Sequence, residues 1–152
     1  MSTLTIHFLG TSAARPIPRW GCTCPQCTAV QTDARARRTR SAILVNGTLL
    51  VDAGPDIYAQ LGTLPYEHLA RIDHIIITHP HADHLAGLVE VLHRYKVKQV
   101  LAPEMDTDSP LHDEWLRVIA DKSIKYTTAR NGQGIALGTD VKEVLKPPVT
   151  LF

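Results

Sequence analysis

Leu4, Ile6 and Phe8 alternate with Thr5 and His7, a two-residue period that predicts a first strand ending at Gly10. The period then vanishes. Residues 11 to 40 are punctuated by glycine, proline, cysteine and arginine, which predicts a long loop with one helical turn after Pro25. A loop of that length usually has a function or is pinned by something. Ser41 to Val45 and Thr48 to Val51 are apolar runs joined by Asn46-Gly47, a strong hairpin signal. Asp52-Ala53-Gly54 ends the second run, and Pro55 suits the first turn of a helix reaching Leu61. Ile72 and Ile75 to Ile77 form a β-branched run, read as a buried strand that leads straight into Thr78. Leu85, Leu88, Val89 and Leu92 recur at helical spacing, and Val97, Val100 and Leu101 mark another strand. Ser109 is placed to cap a helix with Pro110 at its first position and Leu111, Trp115, Leu116 and Ile119 as its apolar stripe. Asn131-Gly132 and Gly138-Thr139-Asp140 read as turns between short strands, the last running from Val141 to Leu145. Strands interleaved with helices predict an α/β or α+β class, with helices layered on a mixed sheet and residues 1–152 as one domain.

Composition adds exclusions. The formal net charge of the 152 residues is +1, so no global field argues for a nucleic-acid or membrane-surface partner. The local exception is Arg35, Arg37, Arg38 and Arg40, either a solvated basic turn or an anion-facing loop. No apolar stretch approaches the length of a membrane-spanning helix, and Met1 to His7 lacks the features of an export signal. With unpaired cysteines, this points to the cytoplasm.

The chemistry concentrates in Thr78-His79-Pro80-His81-Ala82-Asp83-His84. Where a strand exits, residues i and i+2 point the same way, so His79 and His81 are expected to hold one divalent ion. Asp83 and His84 follow where the chain turns into a helix and suit a second ion nearby. Two imidazoles fit zinc, iron or manganese, and a carboxylate adds a harder donor. Ala82 and Gly87 keep the backbone thin around the site. The cysteines are a second candidate. Cys22, Cys24 and Cys27 supply three sulfurs within reach of one ion, although zinc normally takes four donors. Structural zinc, oxidisable free thiols and a disulfide all remain open.

His79-x-His81-x-Asp83-His84 after an apolar strand resembles the metal signature of the metallo-β-lactamase superfamily. The resemblance implies one αβ half of an αββα sandwich, with metals at the edge between halves. It also implies that Asp52, in Leu49-Leu50-Val51-Asp52-Ala53-Gly54, orients the metal loop without touching metal. The residues themselves leave open that Asp52 merely ends a strand. Gly10-Thr11-Ser12-Ala13-Ala14, Trp20-Gly21-Cys22-x-Cys24-x-x-Cys27, the arginines and Ser41 are similar to the phosphoribosyl cyclic phosphodiesterase branch, a match over residues 4 to 90. That branch implies Zn2+ at the cysteines, completed by a late histidine, and Zn2+ or Mn2+ at the histidine–aspartate site. Residues 90 to 152 are more similar to the metallo-β-lactamase-like domain of DNA-uptake channel proteins.

These resemblances imply a metal-dependent hydrolase acting on a small cyclic phosphate ester, with Asp83 holding an ion and orienting the nucleophile. A nuclease of the same superfamily is the alternative, although neutral charge and few aromatics argue against nucleic acid. A third reading is a metal-binding half-domain with little turnover. The superfamily takes further histidine and aspartate ligands from a second half, and residues up to Phe152 do not supply them. The expectation is therefore reduced activity from a single copy and a homodimer that completes the fold. Ile43, Val45, Leu50, Ile75 and Ile77 are the residues expected at its apolar interface.

Overall fold

A computed structural model describes residues 3–65, 71–105, 108–136 and 142–144. In chain order the elements are β1 (Ile6–Gly10), α1 (Pro25–Thr32), β2 (Ala42–Val45), β3 (Leu49–Val51), α2 (Ile57–Gly62), β4 (His74–Ile76), α3 (Ala82–Leu85), α4 (Leu88–Arg94), β5 (Gln99–Ala102), α5 (Pro110–Asp121), β6 (Lys125–Thr128), β7 (Gly134–Ala136) and β8 (Lys142–Val144). The first six strands form one sheet in the order β1-β2-β3-β4-β5-β6. β1, β2 and β3 are antiparallel neighbours; β4, β5 and β6 each add in parallel. β7 and β8 form a separate antiparallel pair. The expected α/β arrangement, a mixed sheet with helices, is what the chain adopts.

The β2–β3 hairpin turns at Asn46 and Gly47 with φ of 49° and 65°, the left-handed pair that matches strand twist. Its register pairs Leu44 with Leu50 and Val45 with Leu49, and β4 pairs Ile75 with Leu50. Because side chains alternate between faces, Ala42, Leu44, Leu50, Ile75, Val100 and Ala102 share one face. That face packs in one core with Ile57 and Leu61 of α2, Leu88, Val91 and Leu92 of α4, and Trp115 and Ile119 of α5.

The opposite face carries Leu49 and Leu101, with Val45, Val51 and Ile76 packed around them and, among the described residues, no helix residue in the cluster. On β1, which pairs Ile6 with Val45 and Phe8 with Ile43, Ile6 and Phe8 stand 46% and 69% exposed. This corrects the expected interface. Leu50, Ile75 and Ile77 are fully buried in the core with the helices, while Ile43 and Val45 do belong to the open face. The parity of the hairpin register decides this. It puts Leu50 with Leu44, and Ile77 then follows Ile75 two residues on.

Other expectations shift locally. The helix after Pro25 runs eight residues, a 3-10 turn follows at Ala34–Ala36, and the bridges Ser12↔Arg40 and Ile17↔Arg38 tie the long loop to itself. Ser109 does sit at the N-cap of α5 but makes no side-chain cap bond. β6 has no apolar run to announce it, since Lys125-Tyr126-Thr127-Thr128 is an edge strand with mostly polar side chains. The turn expected at Gly138-Thr139-Asp140 lies outside the described residues. Among the described residues, no helix is long and apolar enough to cross a membrane.

Candidate metal centre

β4 delivers the chain to Thr78, and α3 opens with His81 at its N-cap, so the histidine–aspartate segment spans a strand end and a helix start. The structure brings its imidazole rings together. The His79 and His84 rings lie 3.6 Å apart between centroids, and His79 and His81 lie 4.8 Å apart. His84 Nε2 is 3.2 Å from Asp83 Oδ2.

Asp52 organises this cluster from beneath. It sits just past β3 with φ of 62°, a left-handed backbone unusual for a residue with a Cβ and common where a site is held under constraint. Its Oδ1 accepts from the Thr78 amide at 2.8 Å, and its Oδ2 accepts from the Thr78 hydroxyl at 2.8 Å. His84 Nδ1 is 2.7 Å from the same Oδ2. An ionised carboxylate only accepts, so Nδ1 of His84 carries a proton, and in the neutral ring that binds metal Nε2 is the lone pair. The Thr78 hydroxyl has given its proton to the bond with Asp52. Its oxygen therefore accepts from His79 Nδ1 at 2.9 Å, which leaves His79 Nε2 free as well. One buried carboxylate thus sets the tautomer of two imidazoles, directly for His84 and through Thr78 for His79. Sequence reasoning singled out Asp52 but assigned nothing to the Thr78 hydroxyl. A hydroxyl next to a histidine in sequence was the available signal.

Two glycines set the distance between the Asp52 loop and the metal loop. The Ala53 amide donates to His84 O and the Gly87 amide to Ala53 O, each at 2.7 Å. A Cβ on Gly54 would lie 2.1 Å from the Asp83 carbonyl oxygen, and one on Gly87 would lie 2.3 Å from the Gly54 carbonyl oxygen. Gly87 was expected to thin the backbone around bound ions. Its close neighbour is instead the β3–α2 loop.

The cysteines converge too. The sulfurs of Cys22, Cys24 and Cys27 all lie within 4.8 Å of one another. Cys27 is buried and accepts from the Arg19 amide at 3.3 Å, while Cys22 and Cys24 are half-buried. Hydrogen bonds from the Cys27 amide and from the thiols of Cys22 and Cys27 lower the Cys24 thiol to about 7. For Cys27 the Arg19 amide pulls downward, but burial and its two thiol neighbours outweigh it and the balance is upward. The arginines divide by role. Arg40 is locked to Asp56 at 2.9 Å and to the Ala14 carbonyl, Arg35 pairs with Asp33, and Arg37 and Arg38 are exposed.

A family model described as "Metallo-beta-lactamase superfamily" matches residues 36–150. The chain belongs to the metallo-beta-lactamase superfamily. That single match runs through both segments whose sequences resemble different branches. Among solved structures, this superfamily member is similar to a diphosphatase from the PhnP family, with a TM-score of 0.61 and 26% identity, covering 89% of this chain and 54% of that one. The metallo-beta-lactamase fold protein YhfI of Bacillus subtilis shares the fold, with a TM-score of 0.52 and 19% identity, covering 89% of this chain and 48% of that one. Among curated proteins, "Coenzyme PQQ synthesis protein B" of Methylobacterium sp. (strain 4-46) is 41% identical over 54% of this chain and 31% of its own length. Its namesake in Rhodopseudomonas palustris is 29% identical over 58% of this chain and 32% of its length. The chain therefore spans about a third of these curated relatives and about half of the solved structures.

Proposed function

We propose that this chain holds divalent metal at His79, His81, Asp83 and His84 and hydrolyses a small phosphate ester, with a cyclic phosphodiester as the first substrate to try. The hydrogen-bond chain from His84 through Asp52 and Thr78 to His79 carries this reading. It frees Nε2 on both rings for a metal ion, and His84 Nε2 lies 3.2 Å from Asp83 Oδ2; two imidazoles and a carboxylate are donor types that fit zinc or manganese. A bound divalent ion supplies Lewis-acid polarisation and makes water acidic enough to ionise near neutral pH. The chain's own residues do the positioning. Asp52 and Thr78 fix the rings, and Asp83 offers a carboxylate that orients the attacking water. The similarity to a PhnP-family diphosphatase supports phosphorus as the reacting centre. At Cys22, Cys24 and Cys27 the convergent sulfurs fit a structural Zn2+ that pins the long loop.

The test is a purified chain assayed for metal content and for turnover of an activated phosphodiester. Metal at the histidine site and metal-dependent turnover, both lost in a His79→Ala/His81→Ala double variant, are expected. Turnover no greater than that of free metal overturns the hydrolytic reading. The 41% identity to the PQQ synthesis relative favours a second reading, in which the same site serves a step in making that coenzyme. Full metal occupancy with no phosphodiester turnover would favour it.

A further inference from the structure

Cys24-Pro25-Gln26-Cys27 places two thiols at the opening of α1, Cys24 at the N-cap and Cys27 within the first turn, with Pro25 between them. Their sulfurs already lie within 4.8 Å of each other. Their surroundings differ usefully: Cys24 is half-buried and reachable, whereas Cys27 is 3% exposed and held by the Arg19 amide. Beside the cluster is a cavity of about 440 Å³ lined by Arg19, Cys22, Cys27 and Arg37, so two basic residues share its wall with two of the three cysteines. A reachable thiol, a buried partner one turn on and adjacent positive charge suit exchange with an anionic disulfide.

We propose that Cys24 and Cys27 form a reversible dithiol–disulfide pair that exchanges with a small anionic disulfide of the glutathione class. The Cys24 sulfur attacks one sulfur of the small disulfide. Its S–S bond breaks, and the first small thiol departs with the proton lost by Cys24. Cys27 then attacks the Cys24 sulfur, the mixed disulfide breaks, and the second small thiol departs with the proton lost by Cys27. The protein gives up two electrons, and one small disulfide becomes two thiols. Cys22 stays reduced. Oxidation removes two of the three sulfur donors, so zinc held by the cluster is released. None of these steps involves His79, His81, Asp83 or His84, so the proposal stands or falls separately from the hydrolytic reading.

The experiment equilibrates the full chain, metal-free and zinc-loaded, with mixtures of oxidised and reduced glutathione, then alkylates and sequences the cysteine segment by mass spectrometry. In the oxidised metal-free chain, Cys22 alone should carry the alkyl group. The disulfide should persist in Cys22→Ser and disappear in Cys24→Ser. In the zinc-loaded chain, a chromogenic chelator should register zinc release in step with oxidation. Alkylation of Cys24 or Cys27 in the fully oxidised wild-type chain overturns the pairing. Failure to oxidise in pure oxidised glutathione overturns the exchange. Oxidation with full zinc retention overturns the release. The wild-type mapping stands even if a variant fails to fold.

Discussion

At the scale of the residue, Asp52 shows how one carboxylate can prepare a site it does not enter. It is 5% exposed and satisfies the Thr78 amide, the Thr78 hydroxyl and His84 Nδ1 together. Partners that orient metal-binding histidines typically contribute 10–100-fold to affinity. Asp52→Asn keeps the shape but replaces one acceptor oxygen with a donor, so Thr78 or His84 must lose its partner. We expect metal affinity at the histidine site to fall by roughly 10–100-fold with the fold retained, read by competition with a chelator. Unchanged affinity would show that the tautomers are set some other way. Thr78→Val removes only the relay to His79 and should weaken binding less than Asp52→Asn. The donor residues were legible in the sequence because they are packed into six positions, and Asp52 was legible through its motif. The Thr78 relay was not. It depends on β3 and β4 lying side by side, which brings positions 52 and 78 together from 26 residues apart.

At the scale of the element, the metal loop is held by the β3–α2 connection more than by its own short helix α3. The Ala53 amide and carbonyl clamp the loop at His84 and Gly87, and Gly54 meets Asp83 backbone to backbone. A methyl group at position 54 has nowhere to go without moving one of these backbones. Gly54→Ala should lower stability by about 1–3 kcal/mol, the usual range for overpacking, seen as a lower denaturant midpoint in the metal-free chain. It should also weaken metal binding, because the displaced atom belongs to Asp83. An equally stable Gly54→Ala chain would argue that the loops separate easily. Elements with strong local signals, such as the Asn46-Gly47 hairpin and the Pro110 helix, are legible from the order of residues alone. β6 is not, because its placement depends on pairing with β5 and its sequence shows no apolar alternation. Which face each strand buries was also hidden. Leu44 and Val45 are equally apolar, and only the register at the turn decides that Leu44 faces the helices.

At the scale of the whole molecule, the helices of the described residues pack on one face of the sheet. Its open face carries Ile6, Phe8, Ile43, Val45, Val51 and Ile76, with Phe8 the most exposed of these. Contiguous apolar surface of this kind marks an interface. We propose that a second copy covers it about a two-fold axis, the commonest arrangement for identical chains. Sedimentation at micromolar concentration should then show a dimer, and Phe8→Lys should shift it toward monomer while leaving the helix-side core intact. A monomeric wild-type chain with this face exposed would refute the proposal.

The sheet order has a further consequence for how the molecule comes into being. From β2 to β6, each strand joins the one made just before it, so once β1 is paired no strand waits for a partner still to be synthesised. Topologies with nearer partners in sequence tend to fold faster. Asp52, Thr78, His79, His81, Asp83 and His84 all precede Gln99, where β5 begins. A nascent chain on the ribosome therefore carries the complete set of site residues described here before the parallel part of the sheet is finished, so metal capture and sheet growth can proceed together.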